Sequence, residues 1–227
     1  MYRYETHLHT SPTSACAVSS VEESVRAYKD MGYDGVFITN HFLDGNCSDE
    51  IKSLPYREGL ALYYAAYLEA REIGEKLGIK VFFGVELAYR GTDFLVYGLD
   101  YDWYLAHPEI MDMKKSDELM LMASEGALII QAHPFREAKY IDHIRLFPRR
   151  VHGVEVVNGC RTEFENAMAK QYADSYELIH FGGTDNHRGP DHSHFAGVEF
   201  CEPITCERDF VEKVKSGAAV VFEFTKQ

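Results

Sequence analysis

Tyr4-Glu5-Thr6-His7-Leu8-His9 is a short strand-like run that ends on two imidazoles. Side chains at i and i+2 of a strand point to one face, so His7 and His9 are presented together. The same arrangement recurs along the chain. His41 follows Val36-Phe37-Ile38-Thr39-Asn40, and Glu86 follows Val81-Phe82-Phe83-Gly84-Val85. His133 follows Leu128-Ile129-Ile130-Gln131-Ala132, and Asp185-Asn186-His187 completes the series, again with ligand-type side chains at i and i+2. Apolar runs of this length, rich in Val, Ile and Phe, read as buried strands. Imidazole and carboxylate gathered at several strand ends are what a cluster of divalent metal ions requires.

Around these runs, strand-like segments at 4–9, 36–39, 80–87, 94–99, 127–132, 153–157, 178–182, 196–200 and 218–224 alternate with helix-like ones. Ser20-Val21-Glu22-Glu23 is a capping box, and Gly32 stops the helix it opens. Leu60, Tyr63, Tyr64, Tyr67 and Leu68 trace the apolar stripe of a helix ending near Gly78. Further helices are expected over 116–125, after Thr162, and between Thr205 and Gly217. Alternation of this kind implies parallel strands joined by crossover helices. The absence of a GxGxxG or Walker loop weighs against a nucleotide-binding open sheet. Polar residues at the C-terminal ends of many strands favour a closed barrel, whose strand ends converge on one rim. The 94–99 run follows its predecessor too closely for a helix, so an irregular α/β barrel is expected, with 1–227 as one domain.

The net charge of −13 argues against long nucleic acids and anionic membranes, which both repel it. It leaves room for a small anionic substrate, because bound cations set the local potential of a metal site. Five scattered cysteines without CxxC spacing read as reduced thiols. With no apolar stretch behind Met1 and no long apolar run, the sequence reads as a cytoplasmic protein outside the membrane. It carries no signal for an oligomeric state.

His-Leu-His-Thr at 7, Thr-Asn-His at 39, Gly-Val-Glu at 84, Ala-His-Pro-Phe at 132 and Gly-Thr-Asp-Asn-His at 183 stand in a fixed order. Together they resemble the PHP (polymerase and histidinol phosphatase) family, over nearly the whole chain. The resemblance implies a distorted TIM-like (β/α)7 barrel holding two or three divalent metal ions, in a phosphoesterase. It implies that His7, His9 and Asp185 bind a first metal, that Glu86 bridges two metals, that His133 binds a second, and that His41 and His187 bind a third. Two positions depart from the family. Where some members carry a further histidine, this chain has Ser14-Ala15-Cys16, with Cys16 or water left to supply the contact. Where members carry a histidine after the next strand, this chain is expected to offer Asp100 as the ligand. Asn40, standing where the family usually has aspartate, is expected to support the ligands rather than join them.

Two metals about 3.5–4 Å apart clamp a phosphoryl group and generate a nucleophile from water, and Glu86 is given the role of setting that spacing. Mixed imidazole and carboxylate ligation suits Zn, Mn or Fe. Guanidinium groups bind phosphate in a planar fork, which makes Arg136, Arg161 and Arg188, each just past a strand end, the substrate-binding candidates. Asp185 and His187 are candidates to handle the proton of the leaving oxygen. The expected activity is hydrolysis of a small phosphate monoester, of which histidinol phosphate is one. The alternatives are a phosphodiesterase or nuclease acting on nucleotides, and a non-catalytic metal-binding domain.

Overall fold

In the computed structural model, which describes residues 1–226, nine strands share one sheet. The elements are β1 (Tyr2–Leu8), α1 (Val21–Asp30), β2 (Gly35–Ile38), α2 (Asp49–Ser53), α3 (Tyr56–Leu77), β3 (Lys80–Tyr89), β4 (Thr92–Tyr97) and α4 (Tyr101–Ala106). They continue with α5 (Lys115–Ser124), β5 (Leu128–Ala132), β6 (Gly153–Asn158), α6 (Glu163–Tyr176), β7 (Ile179–Gly183), β8 (His194–Phe200), α7 (Glu207–Lys215) and β9 (Val220–Thr225). The strand order is β7-β6-β5-β4-β3-β2-β1-β8-β9. The sheet curls until β7 stands beside β1 and β8, and Leu8 bridges to Asn186 just past β7. The expected α/β barrel therefore forms, nearly closed.

Two strands break the parallel pattern, β4 and β8, the latter antiparallel to β1 and β9. β1, β2 and β3 are parallel, as are β5, β6 and β7, but β4 runs antiparallel to both of its neighbours. Arg90 and Gly91 join β3 to β4, both with positive φ (50° and 85°), the backbone a two-residue hairpin needs. Tyr89 pairs with Thr92 directly across this turn. The start of β4 thus shares a rim with the ends of β1, β2, β3, β5, β6 and β7, and its far end points to the opposite mouth.

Strand alternation sorts the core. Phe82, Leu95, Tyr97, Ile130 and Phe181 turn inward, and α7 closes the far end with Phe210, whose ring lies 4.3 Å from Phe37 and 5.3 Å from Tyr97. Phe83, Val85, Phe94, Val96 and Ile129 point outward against α3 and α5. Fully burying each such side chain contributes about 1.5–3 kcal/mol. The Ser20 capping box opens α1, a second one at Thr162 opens α6, and Gly78 ends α3 with a φ of 69°. The helix expected from Thr205 starts one residue later, because Cys206 is its N-cap and the Thr205 hydroxyl instead bonds Asp209. Among the described residues no helix is long and apolar enough to cross a membrane.

Candidate metal centre

The rim gathers the strand-end side chains into one buried cluster. His7 and His9 close β1, His41 follows β2, Glu86 lies late in β3, His133 follows β5, and Asp185 and His187 follow β7. Glu86 sits at the centre. Its Oε1 is 3.0 Å from His7 Nε2 and 3.4 Å from His133 Nε2, while its Oε2 faces His9 Nε2 at 3.5 Å and His41 Nδ1. Asp185 Oδ1 reaches His7 and His9 Nε2 at 3.5 and 3.4 Å. Three groups of candidate ligand atoms each fall within 4.8 Å of one another: His7, His9 and Asp185; His7, Glu86 and His133; His9, His41 and His187. His133 and Asp185 hold positive φ, 26° and 61°, a backbone conformation that non-glycine residues keep mainly where a site requires it.

Three imidazoles are oriented by a contact at Nδ1 that leaves Nε2 facing inward. His7 Nδ1 meets Glu155 Oε1 at 3.0 Å, His9 Nδ1 meets Ser14 Oγ at 3.0 Å, and His187 Nδ1 meets the Asp185 carbonyl at 2.8 Å. Such partners fix ring orientation and tautomer and strengthen the remaining nitrogen as a ligand. Glu155 also accepts from His133 N and Asn158 Nδ2 through Oε2.

The donor set fits divalent cations. Both oxygens of Glu86 and both ring nitrogens of His133 are buried without a hydrogen-bond partner. A carboxylate left in that condition is costly, and a cation at this point removes the cost. Burial raises the Glu86 and Asp185 carboxyls, but the surrounding imidazoles, His41 first for Glu86 and His7 first for Asp185, hold both well below the usual carboxylate range. Burial, His187 and His41 push His9 well below the usual imidazole range. Burial acts the same way on His7, but Glu155, Asp185 and Glu86 outweigh it and raise that imidazole.

The sequence matches the PHP domain family over residues 5–200. The chain belongs to the PHP family. A search of curated proteins returns no match. Among solved structures, PsfC from Pseudomonas syringae superposes with a TM-score of 0.66 at 16% identity, over 100% of this chain and 93% of that one. A two-domain protein of Bacteroides vulgatus containing a predicted PHP-like metal-dependent phosphoesterase gives 0.64 at 17% identity, over 97% of this chain. The PHP chain described here spans 64% of that protein. An amidohydrolase of Chromobacterium violaceum, with bound sulfate and no metal, gives 0.56 at 14% identity, over 96% of this chain and 97% of that one.

Asp100 is the exception among the expected ligands of this PHP chain. It is exposed, and it caps α4 by accepting from Trp103 N at 2.8 Å. The reason is the reversal of β4: a residue after that strand lies at the mouth opposite the cluster. Asp93, the second residue of β4, lies on the rim instead, with Oδ2 3.8 Å from His133 Nε2. Burial and the Glu86 charge raise the Asp93 carboxyl to about 6. Asn40 holds the loop behind His9, accepting from Thr10 N and Ser14 Oγ and donating to Thr10 Oγ1.

A cavity of about 710 Å³ opens over the PHP cluster, lined by His41, Asp93, Asp185 and His187. Arg136, Arg161 and Arg188 line it as well. Each is placed by a tight turn past a strand end: Arg136 N donates to the His133 carbonyl, Arg161 N to the Asn158 carbonyl and Arg188 N to Asn186 Oδ1. Arg136 Nη1 stands 3.8 Å from Asp93 Oδ2, and Arg161 Nε is buried without a partner. The second His-x-His pair, His192 and His194, is not in the cluster: His194 Nε2 bonds Glu223 at the surface.

Proposed function

We propose that this PHP protein hydrolyses a small phosphate monoester, with residues 1–227 acting as one catalytic unit. The observation that carries the reading is the single cavity in which three arginines face the histidine and carboxylate cluster. Two or three divalent ions, Zn, Mn or Fe, would be held by His7, His9, His41, Glu86, Asp93, His133, Asp185 and His187. When bound, such ions polarise the phosphoryl group, lower the pKa of water and stabilise the leaving oxygen. The rest falls to the protein. Arg161, Arg188 and Arg136 bind and orient the outer phosphoryl oxygens, for which guanidinium has a matching geometry. Glu86, with one oxygen toward His7 and His133 and the other toward His9 and His41, fixes the separation of the ligand groups. Asp185 and His187, which line the cavity, would handle the proton of the leaving oxygen. A cavity of this volume suits a small substrate rather than a polymer, and the net charge of −13 agrees.

The test is elemental analysis of the purified protein together with p-nitrophenyl phosphate turnover before and after chelation. Bound metal with chelator-sensitive turnover is expected. Faster cleavage of bis-p-nitrophenyl phosphate than of the monoester would replace the reading with a phosphodiesterase. Bound metal without turnover on either ester would replace it with a non-catalytic metal-binding domain.

A further inference from the structure

Cys16 Sγ lies 3.2 Å from His41 Nε2, at the open side of the cluster formed by His9, His41 and His187. We propose that Cys16 is a metal ligand: its thiolate holds one ion together with His41 and His187. The proposal rests on the metal-centre reading above and adds to it a sulfur donor.

The backbone places this thiol between the two imidazoles. Ser14 Oγ accepts from His41 N, and Val18 N donates to the His187 carbonyl. Ala17 N closes a turn onto the Ser14 carbonyl, and Ala15 N donates to Asn46. Segment 14–18 is therefore tied to the His41 backbone at one end and to the His187 backbone at the other, with Cys16 at its middle. A loop pinned in this way presents its central side chain at a fixed point, as a ligand must be.

The separations agree with shared coordination. With Zn–S of about 2.3 Å and Zn–N of about 2.0–2.1 Å, two ligands of one tetrahedral ion stand about 3.5 Å apart. The 3.2 Å between Cys16 Sγ and His41 Nε2 is within a few tenths of that. The other nitrogen of His41 faces Glu86, whose buried oxygens have no hydrogen-bond partner, so the ring spans from the central carboxylate to the thiol. His187 commits Nδ1 to the Asp185 carbonyl and keeps Nε2 for the ion. Binding displaces the thiol proton to solvent, since the thiolate is the form that ligates. A soft donor at this position favours Zn or Fe over Mg.

Cobalt(II) tests the assignment, because a cobalt–thiolate bond gives a near-ultraviolet charge-transfer band that imidazole and carboxylate ligands do not. The protein is stripped, loaded with Co(II) and read by absorption, with metal affinity taken from the same titration. The wild type is expected to show the band. C16S is expected to lose it and to bind its most weakly held cobalt at least about tenfold less tightly, the loss that even a residue behind a ligand causes. C160S, which removes the other thiol near the cluster, is expected to keep the band. Cobalt d–d absorption without a charge-transfer band, or a band that survives in C16S, would overturn the thiolate ligand and leave the metal centre standing. Failure of the wild type to take up cobalt at all would overturn both.

Discussion

Glu155 Oε1 lies 3.0 Å from His7 Nδ1, and both side chains are fully buried. The contact fixes the proton of His7 on the outer nitrogen and turns Nε2 toward Glu86 and Asp185. The other oxygen of Glu155 receives His133 N, so one carboxylate positions ligands from two strands. Glu155→Gln keeps the shape and removes the charge. Metal affinity is expected to fall about 10–100-fold, as for other partners that orient a ligating histidine. Titration with a buffered metal reads this directly, and an unchanged dissociation constant would reduce Glu155 to packing.

Much of the rim was legible because buried strands need unbroken apolar runs, and a histidine or carboxylate ending such a run stands out. Those residues are His7, His9, His41, Glu86, His133, Asp185 and His187, which the structure brings together. Asp93 escapes the pattern because its strand runs against its neighbours, so that the start of the strand, not its end, meets the rim. The short gap before Phe94 excluded a helix, and reading Arg90-Gly91 as a hairpin turn would have placed the start of that strand on the rim. Glu155 was missed for a different reason: it lies inside an apolar strand rather than at its end. A charge there demands a partner, but the identity of that partner is a tertiary fact. The same holds for Ser14, whose nearness to His9 depends on how a loop folds back; Cys16 is a candidate contact only through the family resemblance.

The exchange of Asp100 for Asp93 makes opposite predictions for two aspartates seven residues apart. Asp93→Asn removes the charge facing His133 and is expected to lower bound metal without lowering the melting temperature of the chelated protein. Asp100→Ala removes a helix cap, costing about 0.5–2 kcal/mol of stability, and leaves metal content intact. Elemental analysis and thermal melting of the two variants side by side separate the roles. Metal loss in Asp100→Ala would restore the residue to the centre.

Arg161 carries a buried Nε without a partner and lines the cavity, so an oxyanion bound there would find a free charged donor. Arg161→Ala is expected to leave the metals bound and to lower kcat/KM roughly tenfold to a hundredfold, the worth of one charge-assisted contact. Steady-state kinetics on the metal-loaded variant checks this. Loss of cooperative melting would instead assign Arg161 to packing.

Away from the centre, Lys115 Nζ reaches Asp44 Oδ2 at 2.9 Å and Glu118 Oε2 at 2.7 Å. One ammonium cannot neutralise two carboxylates. Burial works against the charged lysine, but Asp44 first and Glu118 second raise its pKa. For Glu118 burial outweighs the lysine, and the carboxyl rises from 4.5 to about 7. Lys115 is therefore paired chiefly with Asp44. Between those two pH values the folded protein holds a proton on Glu118 that the unfolded chain has released, so this group's contribution falls as pH rises through the window and is flat on either side. The loss is on the order of 1–3 kcal/mol. Glu118→Gln still accepts from Lys115 but carries no charge to desolvate. Its melting temperature is expected to vary less than that of the wild type over this window, and to exceed it at about pH 8, where the wild-type carboxylate is ionised. Thermal melts in matched buffers decide it, and parallel curves for the two proteins would mean that Glu118 ionises as freely folded as unfolded.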